Sequence, residues 1–300
     1  DHWRAISGLE SIDAGGPQIH AGETACRIIQ NRGERLRGFE SISHHRLSSF
    51  RSQKRFSVGA VEVLPFHVDH SIPGAYAFLV HTSQGLIVYT GDLRLHGSYS
   101  RKLRSQFWRA IGDEPVEALI CEGTNAGELN VPLTEKDVQR LGQRCVKGSK
   151  GLVLVNLSPL DVDRLRTFHQ VSETCNRRLV ATESFMDYLR IMSEEKVLEI
   201  PDVEKGEILE YDEEEREELR RDPSGYILLT SFYRWREIQE IEPPSGSIFI
   251  LSTSEPFEEE SEVEFRRLVN WLRLYGIQAV QIHTSGHAFP FDIRRIVSLT

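Results

Sequence analysis

The chain has 300 residues, a formal net charge of −9 and four cysteines. That length supplies a buried core for one large or two ordinary domains, and the absence of any run of 18 apolar residues argues against a membrane-spanning helix. The cysteines (Cys26, Cys121, Cys145, Cys175) form no Cys-x-x-Cys pair, which argues against a disulfide framework or a zinc ribbon and suits a reducing cytoplasm.

Alternation and turn signals predict strands over Val61–Phe66, Ala75–His81 and Leu86–Thr90, the last two joined by a tight turn at Ser83-Gln84-Gly85. Glu117–Cys121 reads as a short buried strand. Thr134-Glu135-Lys136-Asp137 resembles a capping box that opens a helix running to about Lys147. A strand over Gly151–Asn156, a helix over Asp161–Cys175 and another over Glu183–Glu194 follow, and this alternation predicts a second α/β unit. The acidic stretch 202–222 reads as a solvated helix face rather than a binding tail. Strands are expected at Tyr226–Thr230 and Ser247–Leu251, separated by the loop Pro243-Pro244-Ser245-Gly246. A helix over Glu258–Tyr275 would carry Val263, Leu268, Leu272 and Tyr275 on one stripe.

Charge is uneven along the chain. Lys and Arg outnumber Asp and Glu over residues 1–112, and the whole acidic excess lies beyond. The chain is therefore no basic nucleic-acid binder of the usual kind. A phosphate-bearing substrate would need bound cations or the basic front half.

Three clusters of candidate chemistry each follow a predicted strand. His67-Val68-Asp69-His70 puts three ligand types in four residues, although exposed histidines at a strand end explain it as well. Thr90-Gly91-Asp92 sends a carboxylate off a strand through a glycine turn, and a buried Asp there is costly unless paired or bound to metal. His283-Thr284-Ser285-Gly286-His287-Ala288 precedes a helix, whose first amides favour anions. The hydroxyl-rich loop Ser252-Thr253-Ser254 suits either a phosphate or a helix cap. His44-His45-Arg46 with Arg51, Lys54 and Arg55 forms a basic stretch, which faces nucleic acid or is a surface loop. Tyr233-Arg234-Trp235-Arg236 reads as a stacking surface or as a helix packing its aromatics inward. His20, His81, His96 and His169 are isolated and read as structural.

The order His70-Ser71-Ile72-Pro73-Gly74-Ala75, Thr90-Gly91-Asp92, Glu122-Gly123-Thr124-Asn125, Ser285-Gly286-His287-Ala288 resembles the β-CASP branch of metallo-β-lactamase-fold hydrolases, with ribonuclease J as its bacterial example. The resemblance covers nearly the whole chain. It implies an α/β (α+β) fold, a metallo-β-lactamase αββα sandwich with an inserted β-CASP domain. The sandwich would take residues 1–122, the insertion 123–244, and the return 245–300. It also implies two divalent metal ions, zinc or alternatively manganese, and hydrolysis of phosphodiesters by a hydroxide held between them. Asp1 and His2 match the end of the family's histidine-rich motif and would ligate one ion, with Asp1 also counted as catalytic. His70 would ligate the other ion and Asp92 would bridge the two. Glu122 matches the acidic residue that orients its neighbours, and His287 the histidine that contacts the scissile phosphate. Ser285, Gly286 and Ala288, with Ser252, Thr253 and Ser254, would cradle phosphate. His67 and Asp69 have no ligand role in that pattern.

The pattern is incomplete at both ends. The two histidines preceding Asp-His and the last ligand histidine are not in the sequence, so the chain is expected to be a fragment that binds metal poorly and is itself inactive. The expected parent function is a metal-dependent nuclease acting on RNA or single-stranded DNA in the cytoplasm, with no membrane partner, and a homo-oligomer is compatible with it. The alternatives are a hydrolase of small esters or thioesters on the same fold, and a non-catalytic scaffold of RNA processing.

Overall fold

The computed structural model describes residues 18–35, 47–129, 133–193, 199–231, 235–254 and 259–300. The chain divides into two compact units, one made of Asp1–Leu129 with Gly286–Thr300 and the other of Asn130–Ser285. Among the described residues no helix is long and apolar enough to cross a membrane.

The described residues of the first unit begin with β1 (Ile19–Gly22), α1 (Glu23–Arg35) and β2 (Leu47–Phe50), the two strands pairing in parallel. A five-stranded sheet follows, built from β3 (Phe56–Val58), β4 (Val61–His67), β5 (Tyr76–Thr82), β6 (Gly85–Tyr89) and β7 (Val116–Ile120) in that spatial order. Its pairs are antiparallel except β6 with β7, and α2 (Ser100–Ile111) makes that parallel connection. Side chains alternate across a strand. Thus Phe66, Ala77, Leu79, Leu86 and Val88 pack on one face with Phe107 and Ile111 of α2. Tyr76 and Phe78 take the other face, where Phe50 of β2 meets both rings edge-on at 4.8 and 5.6 Å. With α1 packed on β1 and β2, the layers run helix, sheet, sheet, helix.

The second unit is a parallel α/β sandwich. Its elements are α3 (Glu135–Gly148), β8 (Val153–Asn156), α4 (Val162–Thr174), β9 (Arg178–Ala181), α5 (Glu183–Ser193), β10 (Leu209–Glu210), α6 (Glu213–Arg221), β11 (Tyr226–Thr230), α7 (Trp235–Ile241), β12 (Ile248–Leu251), α8 (Glu259–Leu274) and β13 (Gln278–Gln281). The strands lie in the order β10-β9-β11-β8-β12-β13, every pair parallel. Both faces are covered, so β8 and β11 are buried along their whole length. Val153 and Val155 join Leu165, Phe168, Phe185 and Leu189 on one side. Leu152 and Leu154 join Leu219, Ile238, Leu268 and Leu272 on the other. A final helix, α9 (Pro290–Leu299), returns to the first unit and buries Ile296 in its core.

The capping box is present in full: the Thr134 side chain accepts from Asp137 N, and Asp137 accepts from Thr134 N. In the acidic stretch, α6 buries Leu219 alone and pairs its glutamates with Arg216, Arg220 and Arg221 one turn on, so it is a solvated face. Two expectations are corrected. The return to the first unit comes at Gly286 rather than at 245, because β12 pairs with β8 and β13 pairs with β12. On α8, Val263 is exposed and Phe265 packs inward with Leu268 and Leu272. His44, His45, Arg46, Tyr233 and Arg234 lie outside the described residues.

Candidate metal centre

The loop from β4 to β5 is closed by Val68 N donating to Ala75 O at 3.1 Å. Within it Ser71 adopts a φ of 45°, uncommon for a residue with a side chain, and Gly74 a φ of 84°. Burial sends Asp69 inward, where its carboxylate accepts from Arg94 Nε at 2.7 Å, from Ser100 Oγ at 2.9 Å and from Tyr99 N at 3.0 Å. Arg94 is itself buried, and its N–H donates to Asp69 O. Asp69 is therefore a structural ion-pair partner, and His67 stacks on Tyr76, whose hydroxyl lies 2.9 Å from His67 Nε2.

His70 Nδ1 lies 2.7 Å from Gly286 O. A carbonyl only accepts, so Nδ1 carries the proton and Nε2 presents its lone pair. Burial, opposed by that hydrogen bond and helped by nearby His287 and Arg94, holds the His70 pKa below the ordinary value and keeps the ring neutral, the form that ligates metal. Nε2 lies 3.9 Å from Asp92 Oδ2, whose side chain is about half exposed.

Asp92 is aimed by the turn before it. Gly91 has a φ of 55°, and a Cβ there would stand 2.4 Å from Tyr76 O, so no other residue fits. Thr90, fully buried, donates from Oγ1 to Gly91 O and accepts from Glu122 N at 3.1 Å. One hydroxyl thus ties the residue after β6 to Glu122, two residues beyond β7.

The Glu122 carboxylate accepts from Thr124 N and Ala288 N and stands 3.4 Å from His287 Nδ1. Burial pushes its pKa up, but His287 and those two amides outweigh burial and hold it below the usual carboxylate range. The facing Glu122 carboxylate raises the pKa of His287 against the opposing effect of burial. His287 meets the His70 ring edge-on with centroids 4.7 Å apart, and its carbonyl accepts from Asn125 Nδ2. His70, Asp92 and His287 each offer one ligand atom, all within 4.8 Å of one another. Two imidazoles and a carboxylate suit a borderline divalent cation such as zinc or manganese.

The four described residues expected at the centre, His70, Asp92, Glu122 and His287, therefore converge within the first unit. Asp1 and His2 lie outside the described residues. The expected phosphate cradle fares differently. Gly286 is a close-approach position, since a Cβ would stand 2.8 Å from Ser71 Oγ, and its carbonyl is taken by His70. Ala288 is fully buried and its amide donates to Glu122, so that amide is already committed. Helix α9 begins at Pro290, after an N-cap at Phe289, so Ser285–Ala288 do not form its first turn. In the second unit Ser252 is buried; its hydroxyl accepts from Arg164 Nη1 and donates to Ile282 O, each at 2.7 Å. Thr253 donates to Asn156 Oδ1, and Ser254 is exposed. Ser252 thus serves a polar network centred on Arg164 and its buried partner Glu135, and the Thr253 hydroxyl is taken by Asn156, so neither presents a free hydroxyl. Sequence reasoning missed Thr90, Arg94 and Arg164. The Thr of Thr-Gly-Asp was a visible signal for the first; an arginine gives no sign of being buried until its carboxylate is located.

No protein-family model matches the chain. It is 29% identical over 189 residues to ribonuclease J of Sinorhizobium meliloti, covering 62% of this chain and 32% of that protein. It is 27% identical over 254 residues to ribonuclease J of Mycolicibacterium smegmatis, covering 78% of this chain and 44% of that protein. The chain thus spans about a third to under a half of these curated relatives. A solved structure from Enterococcus faecalis, titled a protein of unknown function, superposes with a TM-score of 0.70 at 22% identity, covering 96% of this chain and 68% of that one. The mixed α/β fold is shared with that solved structure, and the similarity to ribonucleases J supports the metallo-β-lactamase/β-CASP fold that the motif order implied. In sequence the chain is ribonuclease-J-like.

Proposed function

We propose that this chain carries the catalytic face of a metal-dependent, cytoplasmic nuclease that hydrolyses phosphodiester bonds of RNA, and of single-stranded DNA as a second substrate. The observation that carries the proposal is the meeting of His70, Asp92 and His287, with Glu122 behind His287, from segments more than two hundred residues apart. The ribonuclease J names of its relatives support RNA as the substrate.

His70 Nε2 and Asp92, together with Asp1 and His2, would hold two divalent ions. When bound, such ions activate water near neutral pH and neutralise charge on the phosphate oxygens. Gly286 O fixes the ring of His70, so its lone pair is set before any cation arrives. Glu122 faces Nδ1 of His287 and raises its pKa, which favours the imidazolium, whose Nε2–H then donates to a phosphate oxygen as negative charge develops. Glu122 acts through His287 and is a positioning residue.

The test is cleavage of an end-labelled single-stranded RNA by the full-length protein and its variants. Removing one donor of this kind costs about 10²–10³ in rate; His287→Ala is expected to lose at least that much, and Asp92→Ala to lose activity together with bound metal, both with unchanged far-ultraviolet circular dichroism. Wild-type rates in either variant would refute the assignment.

A further inference from the structure

A cavity of about 560 Å³ opens in the first unit between the turn joining β2 to β3 and helix α2. Gln53 and Lys54 from the turn and Gln106 and Arg109 from the helix line it, over a floor of Leu64 and Phe66 on β4. None of these residues belongs to the His70–Asp92–His287 cluster.

Three features mark it as built for a ligand. The turn is held in a costly shape: Gln53 has a φ of 61°, a conformation worth about 1–3 kcal/mol of strain for a residue with a side chain. Its N–H is anchored to Pro65 O at 2.7 Å, and its side-chain amide reaches Gln106 Oε1 at 3.4 Å. Next, the Lys54 ammonium and the Arg109 guanidinium have no carboxylate partner among the described residues, whereas neighbouring Arg55 is paired with Glu62. Two such cations from segments about fifty residues apart face one cavity on a chain whose net charge is −9. Finally, the floor is apolar: Phe66 is buried against Phe107, and Leu64 lies beside it on the same face of β4.

We propose that this cavity is a nucleotide-binding site. Lys54 and Arg109 take the phosphate, Leu64 and Phe66 support the base, and the two amides read its edge. A glutamine amide both donates and accepts, so the Gln53–Gln106 bond uses one group of each and leaves the other for the base. The volume lies in the range of small-ligand sites. The nucleotide has two sources, a free mononucleotide or one unit of an RNA strand; the second rests on the nuclease proposal and would make the cavity a holding point away from the reacting bond.

The experiment uses the chain in a chelator, so that no cleavage occurs. AMP and a short single-stranded oligoribonucleotide are titrated separately while side-chain amide signals of Gln53 and Gln106 are followed by NMR, with inorganic phosphate as the control. Saturable shifts are expected with AMP or the oligonucleotide and not with phosphate alone. The doubly substituted variant Lys54→Glu/Arg109→Glu changes exposed side chains only; it is expected to bind about tenfold more weakly or worse and with a shallower salt dependence. AMP alone shifting the signals assigns a free nucleotide; both ligands shifting them assigns the strand. Unshifted signals with both, equal shifts with inorganic phosphate, or wild-type binding by the double variant would overturn the site. A wild-type protein that cleaves RNA but leaves these amides silent removes this inference alone, and one that binds here but never cleaves removes the nuclease proposal alone.

Discussion

A histidine can present a lone pair or donate a proton at a chosen atom only when its other ring nitrogen is committed. The described residues of the first unit include three such cases that bear on the site. His70 commits Nδ1 to a carbonyl and His287 turns Nδ1 to a carboxylate. His67 lies against the Tyr76 hydroxyl and the Ala75 backbone. These partners decide their protonation differently. Burial lowers the pKa of His67, only partly opposed by the Ala75 hydrogen bond. In the unfolded chain His67 titrates near the ordinary value of about 6.5. As pH falls below that value the unfolded state takes a proton that the folded state refuses, so stability falls with pH until the folded pKa is reached. His67→Phe removes this contribution. Its unfolding free energy, followed by urea denaturation from pH 7 downward, should decline less steeply below pH 6.5 than that of the wild type; parallel curves would show that His67 protonates freely in the fold. His70, Asp92, Glu122 and His287 were legible because ordered motifs mark them. The structural duty of Asp69 was not, because its partner Arg94 lies 25 residues on and nothing local announces the pair.

Elements were legible where their pattern is long or one-sided. Every residue of β11 is buried, and its run Tyr226–Thr230 was read to the residue. Helix α3 was found from its capping box. The strands β1, β2, β9, β10 and β13 span four residues or fewer and lack the unbroken apolar run bounded by turn signals that marks the equally short β8 and β12; they take their place from pairing with neighbouring strands. The return to the first unit therefore lies later than the sequence pattern predicts, since β12 and β13 stay in the second unit's sheet. Between elements, the Asp69–Arg94 pair clips the β4–β5 loop, which bears His70, to the β6–α2 loop, which bears Asp92. Replacing Arg94 by Met keeps much of the volume but leaves Asp69 buried without its cation. Breaking a buried pair in this way costs about 3–5 kcal/mol. Denaturant titration should register that loss for Arg94→Met, and a markedly smaller one for the double variant Asp69→Asn/Arg94→Met, where no bare charge remains. Equal losses in the two would mean that packing rather than charge holds the loops.

At the scale of the molecule, the second unit is inserted between Leu129 and Gly286, and the segment that re-enters the first unit brings His287 back to His70 and Asp92. A cation held by His70 and Asp92 would lie against the returning segment, whose Gly286 carbonyl fixes His70, on the sheet that the chain left over 150 residues earlier. It would bind the folded state and find no such arrangement in the unfolded chain. By mass action it then stabilises the fold by about 2.7 kcal/mol at a hundredfold excess over its dissociation constant. It would also place positive charge where a net charge of −9 otherwise repels a phosphate backbone. The two effects share one origin and should disappear together. Adding zinc to the metal-free protein is expected to raise its melting temperature and to tighten its binding to single-stranded RNA, and a chelator to reverse both. Asp92→Ala should respond in neither assay. If zinc leaves the wild-type melting curve in place, or stabilises Asp92→Ala equally, the converging side chains hold no ion, and attraction for RNA has to come from the basic front half of the chain alone.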